Sequence, residues 1–412
     1  MAGLTACLFL FIIYLVMNCR WSVSGEKLTL KYVDLALTKL RGYDKLSDMS
    51  DSVLVIDVHY DKQLVMEHDE AGNPLGLVPV TDRDKLFRLL SKLDSAGNYK
   101  YIMLDVAFMA QDRQPEDSLL YNLIKSMRKI TIPKPMGSDI ADVSLLESGK
   151  VGTAQYGTTI WENDFVKYPY YTDDEESMPL IMFEELQGIK NKKFFRHYHR
   201  QGGRLIRNSV IQTLDFRITT IQEVMNGALP VNVPLDLGVG ILGIEPDGTR
   251  HDAYSDNEDW AKGKYILIGD FEGDTHTTYR GEMPGTAINF NAYLSLLYGQ
   301  QYVSYTFMFI LLLFFYFQNY LIITRQNVYE VARRHYDDRA LKSGFLRAVV
   351  LKTAKVCSVL GYPVFSVVIC IMTFYVFGQV YDVFLIITLL FILKKTVDAV
   401  NKFKSLKADN NA

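Results

Sequence analysis

The chain has 412 residues, room for a sizeable folded domain and a membrane region. Its net charge of −3 hides an asymmetry: eight basic residues lie between Arg325 and Lys355 and five from Lys394 onward. Residues 18–304 are left with about −10, which argues against a nucleic-acid or anionic-lipid surface there. The four cysteines (Cys7, Cys19, Cys357, Cys370) sit in or beside apolar segments, which excludes a disulfide staple in the soluble part, and no Cys-x-x-Cys metal spacing occurs.

Leu4–Met17 is almost wholly apolar, with no Lys or Arg before it and no clear small-residue cleavage site after it. It predicts an uncleaved membrane anchor in residues 1–21 rather than a removed signal, and either way the residues after it are exported. Residues 26–50 form a polar, partly helical lead-in to a domain spanning 22–303. Val53–Val58 is the first strand, and Asp82 the expected N-cap of a helix running through Leu93. Tyr101–Phe108 is a second strand, with a helix from Pro115-Glu116-Asp117 after it. Strand, helix, strand, helix at this spacing predicts an α/β fold: a mostly parallel sheet with helices on both faces. Further on, Gly152–Tyr156 and Arg207–Leu214 are expected strands, and Ile181–Gln187 and Ile218–Met225 helices. Residues 188–206, basic and carrying His197, His199 and Gly202-Gly203, are expected to be a solvated loop.

Lys262–Gly299 concentrates the signals. Tyr265–Ile268 is a buried-type strand ended by Gly269-Asp270. A polar loop follows, Pro284-Gly285 closes it, and Ala287–Tyr298 has the spacing of a helix packed on a sheet. Tyr305–Ile323 then has about the length and apolarity of a membrane span, giving one at 304–324. A basic cytoplasmic loop (325–355), a transmembrane hairpin (356–396) kinked at Pro363, and a cytoplasmic tail (397–412) complete the layout by the positive-inside rule. Val328–Val350 has the spacing of an amphipathic helix on the inner leaflet.

The order Lys-Gly-Lys, apolar strand, Gly-Asp, Asp274-x-His276, Pro284-Gly285 and apolar helix before a span resembles the end of a type-two CHASE domain. Val-Ile-Asp, helix, Leu-Asp-Val-x-Phe and Asp117-Ser-Leu-Leu resemble its start, so the likeness brackets Val53 to Gly299. Two positions depart from it: Asn289 and Phe290 precede Asn291 where the family usually has a His before Ala-Asn, and Thr278-Tyr279 stands where it tends to have Thr-Pro. The resemblance implies a bacterial extracytoplasmic sensory domain with one anchor before it and three transmembrane helices after it. Family members commonly carry an effector domain after the last span; the 19 residues from Lys394 to Ala412 are too short for one, so output is expected to pass to a separate protein partner.

In an open parallel sheet, ligands bind beyond the carboxyl ends of the strands. Those ends supply the candidate ligand-binding residues His59, Asp61, Asp112, Asp270, Glu272, Asp274 and His276, with Asp57 and Asp105 just inside them. Clustered carboxylates with one or two histidines could hold a cation or take a cationic or hydroxylated ligand; the competing reading is that they cap helices and brace loops. If Asp57 and Asp105 are both structural, Asp→Asn at each is expected to lower stability and leave binding largely unchanged; loss of binding with normal melting would place them in the site. No enzyme motif is present, and neither catalysis nor a cofactor is expected. Three functions remain open: a sensor in the inner membrane, an interaction subunit of an envelope complex, and an unrecognised extracytoplasmic hydrolase.

Overall fold

The computed structural model describes residues 1–19, 21–22, 24–41, 52–69, 71–136, 139–158, 164–195, 198–211, 214, 232–234, 242–244, 250–252, 261–337, 344–377 and 381–409. The helix expected at Ile218–Met225, and His197, lie outside these residues. By contacts the chain divides into two units, Gly42–Gln301 and Met1–Arg41 with Tyr302–Ala412.

The unit Gly42–Gln301 is built on a parallel sheet. Its strands run in the order Asn232–Pro234, Val53–Asp57, Tyr265–Gly269, Tyr101–Asp105, Ile130–Pro133 and Val151–Gly152. Alternation along each strand makes two cores. Leu54, Ile56, Ile102, Leu104, Ile266 and Ile268 face one, with Leu86 and Leu90 of helix Arg83–Ala96 and Leu120 and Ile124 of helix Ser118–Ser126. Val53, Val55, Tyr101, Met103 and Leu267 face the other, with helices Met178–Gln187 and Gly285–Leu297. Burial on both faces is why these strands read as continuous apolar runs. Asp82 does cap its helix, its side chain accepting from the Lys85 amide at 3.0 Å.

The register places the site. Asp57 pairs with Gly269, and Gly269 with Asp105, so three strands end in step at one edge. Helix Gly285–Leu297 packs close to that edge: a Cβ on Gly269 would stand 2.0 Å from the Thr286 Oγ1 and 3.3 Å from the Asp105 Cβ. Only a residue without a side chain fits there.

Three stretches differ from expectation. Lys62–His68 and Pro74–Thr81 form a hairpin around the turn at Asp69–Asn73. The expected loop after Gly269 contains a second hairpin, Thr275–Thr278 with Gly281–Pro284, because alternating Thr-His-Thr-Thr suits a strand and Thr278, Arg280 and Gly281 bond into a tight turn. Lys192–Phe195, Tyr198–Gln201 and Arg204–Ile206 form a three-stranded meander where a solvated loop is expected, the last two strands turning on Gly202-Gly203 at φ 53° and 84°. There His199 is buried and stacked 3.6 Å from Tyr171, a packing role.

The other unit is helical. Ala2–Asn18 runs antiparallel to Tyr305–Thr324: Phe9 meets Phe315 edge to face at 5.8 Å, and the Asn319 amide donates to the Thr5 hydroxyl at 3.0 Å. Ser24–Arg41, expected within the sheet domain, packs instead on Gly344–Phe377 and Val383–Asp409. The break expected at Pro363 falls at Gly361, whose φ of 70° interrupts Gly344–Phe377. The apolar run from Val383 continues as one helix to Asp409. Among the described residues one helix, Tyr305–Thr324, is long and apolar enough by itself to cross a membrane, at mean hydropathy 1.9. Ala2–Asn18 and Gly361–Phe377 are shorter apolar helices.

Replacing Gly269 by Ala forces the strand and helix apart and should lower stability by about 1–3 kcal/mol. Adding Thr286→Ala should recover part of that loss. Thermal unfolding of the full chain in detergent is the check, and an unchanged melting point for Gly269→Ala would contradict the contact.

Candidate functional site

Beyond the carboxyl ends of the strands lies a cleft of about 870 Å³. Val58, Asp105, Val106, Pro133, Ala154 and Asp270 supply its floor, and the first hairpin contributes Lys62, Glu67, Val78 and Val80 as a wall. The second hairpin carries Asp274 at its base and His276 within it. The position is the one that an open parallel sheet predicts, because each strand delivers its following loop to the same edge.

At the inner end two polar chains meet. Asp274 Oδ1 is 2.9 Å from His276 Nε2, and the other ring nitrogen, Nδ1, meets the Tyr156 hydroxyl. The Asp274 backbone carbonyl accepts from the Gly285 amide at 2.9 Å, setting its carboxylate beside the first turn of helix Gly285–Leu297, where the helix dipole favours negative charge. A Cβ on Gly285 would meet that carboxylate at 2.4 Å. Asp105 accepts from the Asn289 amide at 2.9 Å, and Asn289 in turn accepts from the buried Tyr168 hydroxyl at 2.6 Å. Removal from water, then the charge of Asp274, push the Asp105 pKa up to about 6.

At the rim, His59 Nδ1 lies 2.8 Å and Lys62 Nζ 3.1 Å from the two oxygens of Asp270. Burial works to raise the Asp270 pKa, but the Gly273 amide, His59 and Lys62 outweigh it and the pKa falls below the usual carboxylate value. Glu272 stands 3.6 Å from His59 Nε2 and accepts from the exposed Tyr60 hydroxyl.

The expected residues therefore divide. Asp112, Asp270, Asp274 and His276 line the cleft, and His59 and Glu272 join it at the rim. Asp61 does not line it: it is buried against Lys85 at 2.7 Å, bracing helix Arg83–Ala96. Asp57 is also a brace, its Oδ1 accepting from the His59 and Phe271 amides at 3.1 Å each. Asp105, placed just inside the strand end, belongs to the cleft. Tyr156, Glu67, Arg83 and Lys134 also line the cleft, and no motif or spacing in the sequence marks them.

Charge sets what the cleft can take. Each of its three Lys and Arg residues is committed: Lys62 to Asp270, Arg83 to Asp117, Lys134 to Glu175. No ion pair to a Lys or Arg forms at Glu67, Asp105, Asp112 or Asp274 among the described residues. Burial also raises the Asp112 pKa, only partly offset by Arg83. Such a lining suits a cationic or polyhydroxylated small molecule. Among the described residues no group of three or more His, Cys, Asp or Glu could hold a metal ion. Comparison with protein-family models, curated proteins and solved structures finds no match.

Truncating Asp57 to Ala leaves two loop amides without their acceptor and should cost about 2 kcal/mol or more of stability. Denaturant or thermal unfolding of the full chain measures this, and a loss well under 1 kcal/mol would remove Asp57 from the bracing role.

Proposed function

We propose that the chain is a sensor-like protein of the bacterial inner membrane, anchored by Tyr305–Thr324 and its neighbouring apolar helices. The Gly42–Gln301 unit lies outside the cytoplasm and binds a small cationic or polyhydroxylated ligand. The signal then passes through the helical unit to a separate protein partner. One observation carries the reading: an 870 Å³ cleft at the strand ends, lined by four carboxylates that form no ion pair to a Lys or Arg among the described residues, with His276 beside one of them. Carboxylates serving only as caps and braces are satisfied by backbone amides or cations, as Asp57 and Asp61 are. The likeness to a type-two CHASE domain supports the same assignment. On this reading the protein performs no catalysis of its own and handles no nucleic acid.

A second reading rests on a different surface. The outer face of the first hairpin exposes Leu64 (66%), Met66 (37%) and Leu77 (60%), with Met66 directly opposite Leu77. A face of that kind would let the domain dock another envelope protein.

Two measurements test the proposal. In intact cells an impermeant thiol reagent should reach a cysteine placed at Asp173 and not one placed at Asp337; the reverse pattern overturns the membrane assignment. Native mass spectrometry of the full chain released from mild detergent should show a co-purifying small molecule. Asp274→Asn, which removes a lining charge, should lose it at least tenfold. An adduct of equal occupancy in that variant, or none in the parent, would move the function to the hairpin face.

A further inference from the structure

The helical unit holds a cleft of its own, about 610 Å³, between the end of Tyr305–Thr324, the start of Val328–Asp337 and the middles of Gly344–Phe377 and Val383–Asp409. Its lining is graded. Leu321 and Phe365 supply an apolar half, and Arg325, Lys394 and Asp398 a charged mouth. We propose that this cleft binds one anionic phospholipid, with the phosphodiester at Arg325 and Lys394 and an acyl chain along Leu321 and Phe365. The inference rests on the membrane placement proposed above and is independent of any ligand in the sheet domain.

Four observations carry it. First, Gln318 is 5% exposed and lines the cleft, and its side-chain amide makes no hydrogen bond among the described residues. An amide within an apolar helix is costly unless something meets it, and a lipid glycerol or ester oxygen would. Second, the mouth carries a net charge of +1: Arg325 and Lys394 against Asp398. Arg325 and Asp398 approach only to 3.5 Å and are each over half exposed, so their pairing is weak. Lys394 has no ion pair among the described residues. A single positive charge balances a phosphodiester. Third, the helix break lies at the cleft: Gly361, at φ 70°, interrupts Gly344–Phe377 and lines it, adding no side chain to the space. Fourth, the volume is that of a ligand pocket rather than a packing defect.

The three charged residues give opposed expectations. Lys394→Gln should weaken retention of phosphatidylglycerol roughly fivefold, as should Arg325→Gln. Asp398→Asn, which frees Arg325, should strengthen it. Leu321→Trp, filling the apolar half while leaving every charge, should abolish it. The full chain in mild detergent would be titrated with phosphatidylglycerol or phosphatidylcholine and read by native mass spectrometry, with the melting temperature as a check on folding. Retention of one phosphatidylglycerol in preference to phosphatidylcholine, moved in these directions, supports the proposal. Equal retention of the two lipids, or a preference that Lys394→Gln and Asp398→Asn both leave unchanged, overturns it. Inorganic phosphate that raises the melting temperature as far as the lipid does would also overturn it, in favour of a free-anion site. Alkaline carbonate extraction separates the two claims. Chain released from membranes defeats the membrane placement; chain that stays but shows no lipid preference defeats this inference alone.

Discussion

The close approach of strand Tyr265–Gly269 to helix Gly285–Leu297 is the constraint on which the sheet domain depends. Gly269 has no side chain, so Thr286 can sit against the strand end. That brings Asn289, one turn on, within hydrogen-bonding distance of Asp105 on the neighbouring strand. The chain linking that strand to that helix is the same one that carries Asp270, Glu272, Asp274 and His276. Fixing its two ends beside each other forces it out over the strand ends as a hairpin. The cleft is thus a consequence of how one strand and one helix pack, and only its lining is chosen residue by residue.

The lining shows two uses of aspartate side by side. Asp57 and Asp61 are engaged structurally, one by two backbone amides and the other by Lys85, as groups near strand ends generally are. Asp105 and Asp274 are engaged mainly by neutral partners or by His276 and repel one another; burial first, and that repulsion second, push the Asp105 pKa up, and burial raises Asp57 as well. A fold has no structural reason to keep two such carboxylates together beside a cleft. This contrast, more than the cleft's size, separates a site from a set of caps.

Much of this was legible in the sequence. The apolar strands, the Asp82 cap and the covering helices follow from periodicity and from capping chemistry, and the strand-end location of the site follows from parallel topology alone. The first hairpin was hidden because Leu64, Met66 and Leu77 point away from the core, reversing the usual sense of alternation. The second was hidden because a four-residue strand of Thr and His has no apolar signal at all. That Asp61 would turn to Lys85 while Asp274 turned to His276 depends on distances across the fold that spacing does not encode. In the helical unit, proline drew the eye at Pro363, yet the backbone breaks at Gly361, where a positive φ costs least. Matching places on two strands did not give Asp57 and Asp105 the same surroundings: one bonds two amides, the other lines the cleft.

The most direct test of the central claim, that Asp105 is held in the cleft at a cost to the fold, is the stability of the full chain and of Asp105→Asn as a function of pH. The folded-state pKa of Asp105, about 6, lies above its unfolded value near 3.8, so the folded state binds this proton more tightly. Its contribution is then fully present below pH about 4 and is lost as pH rises through 6, up to about 3 kcal/mol. An asparagine at 105 keeps an acceptor for Asn289 and never ionises. The account predicts that the variant melts close to the parent below pH 4 and becomes the more stable of the two by pH 7. A variant less stable than the parent at pH 7, or a difference that does not change with pH, would contradict it and make Asp105 an ordinary structural carboxylate.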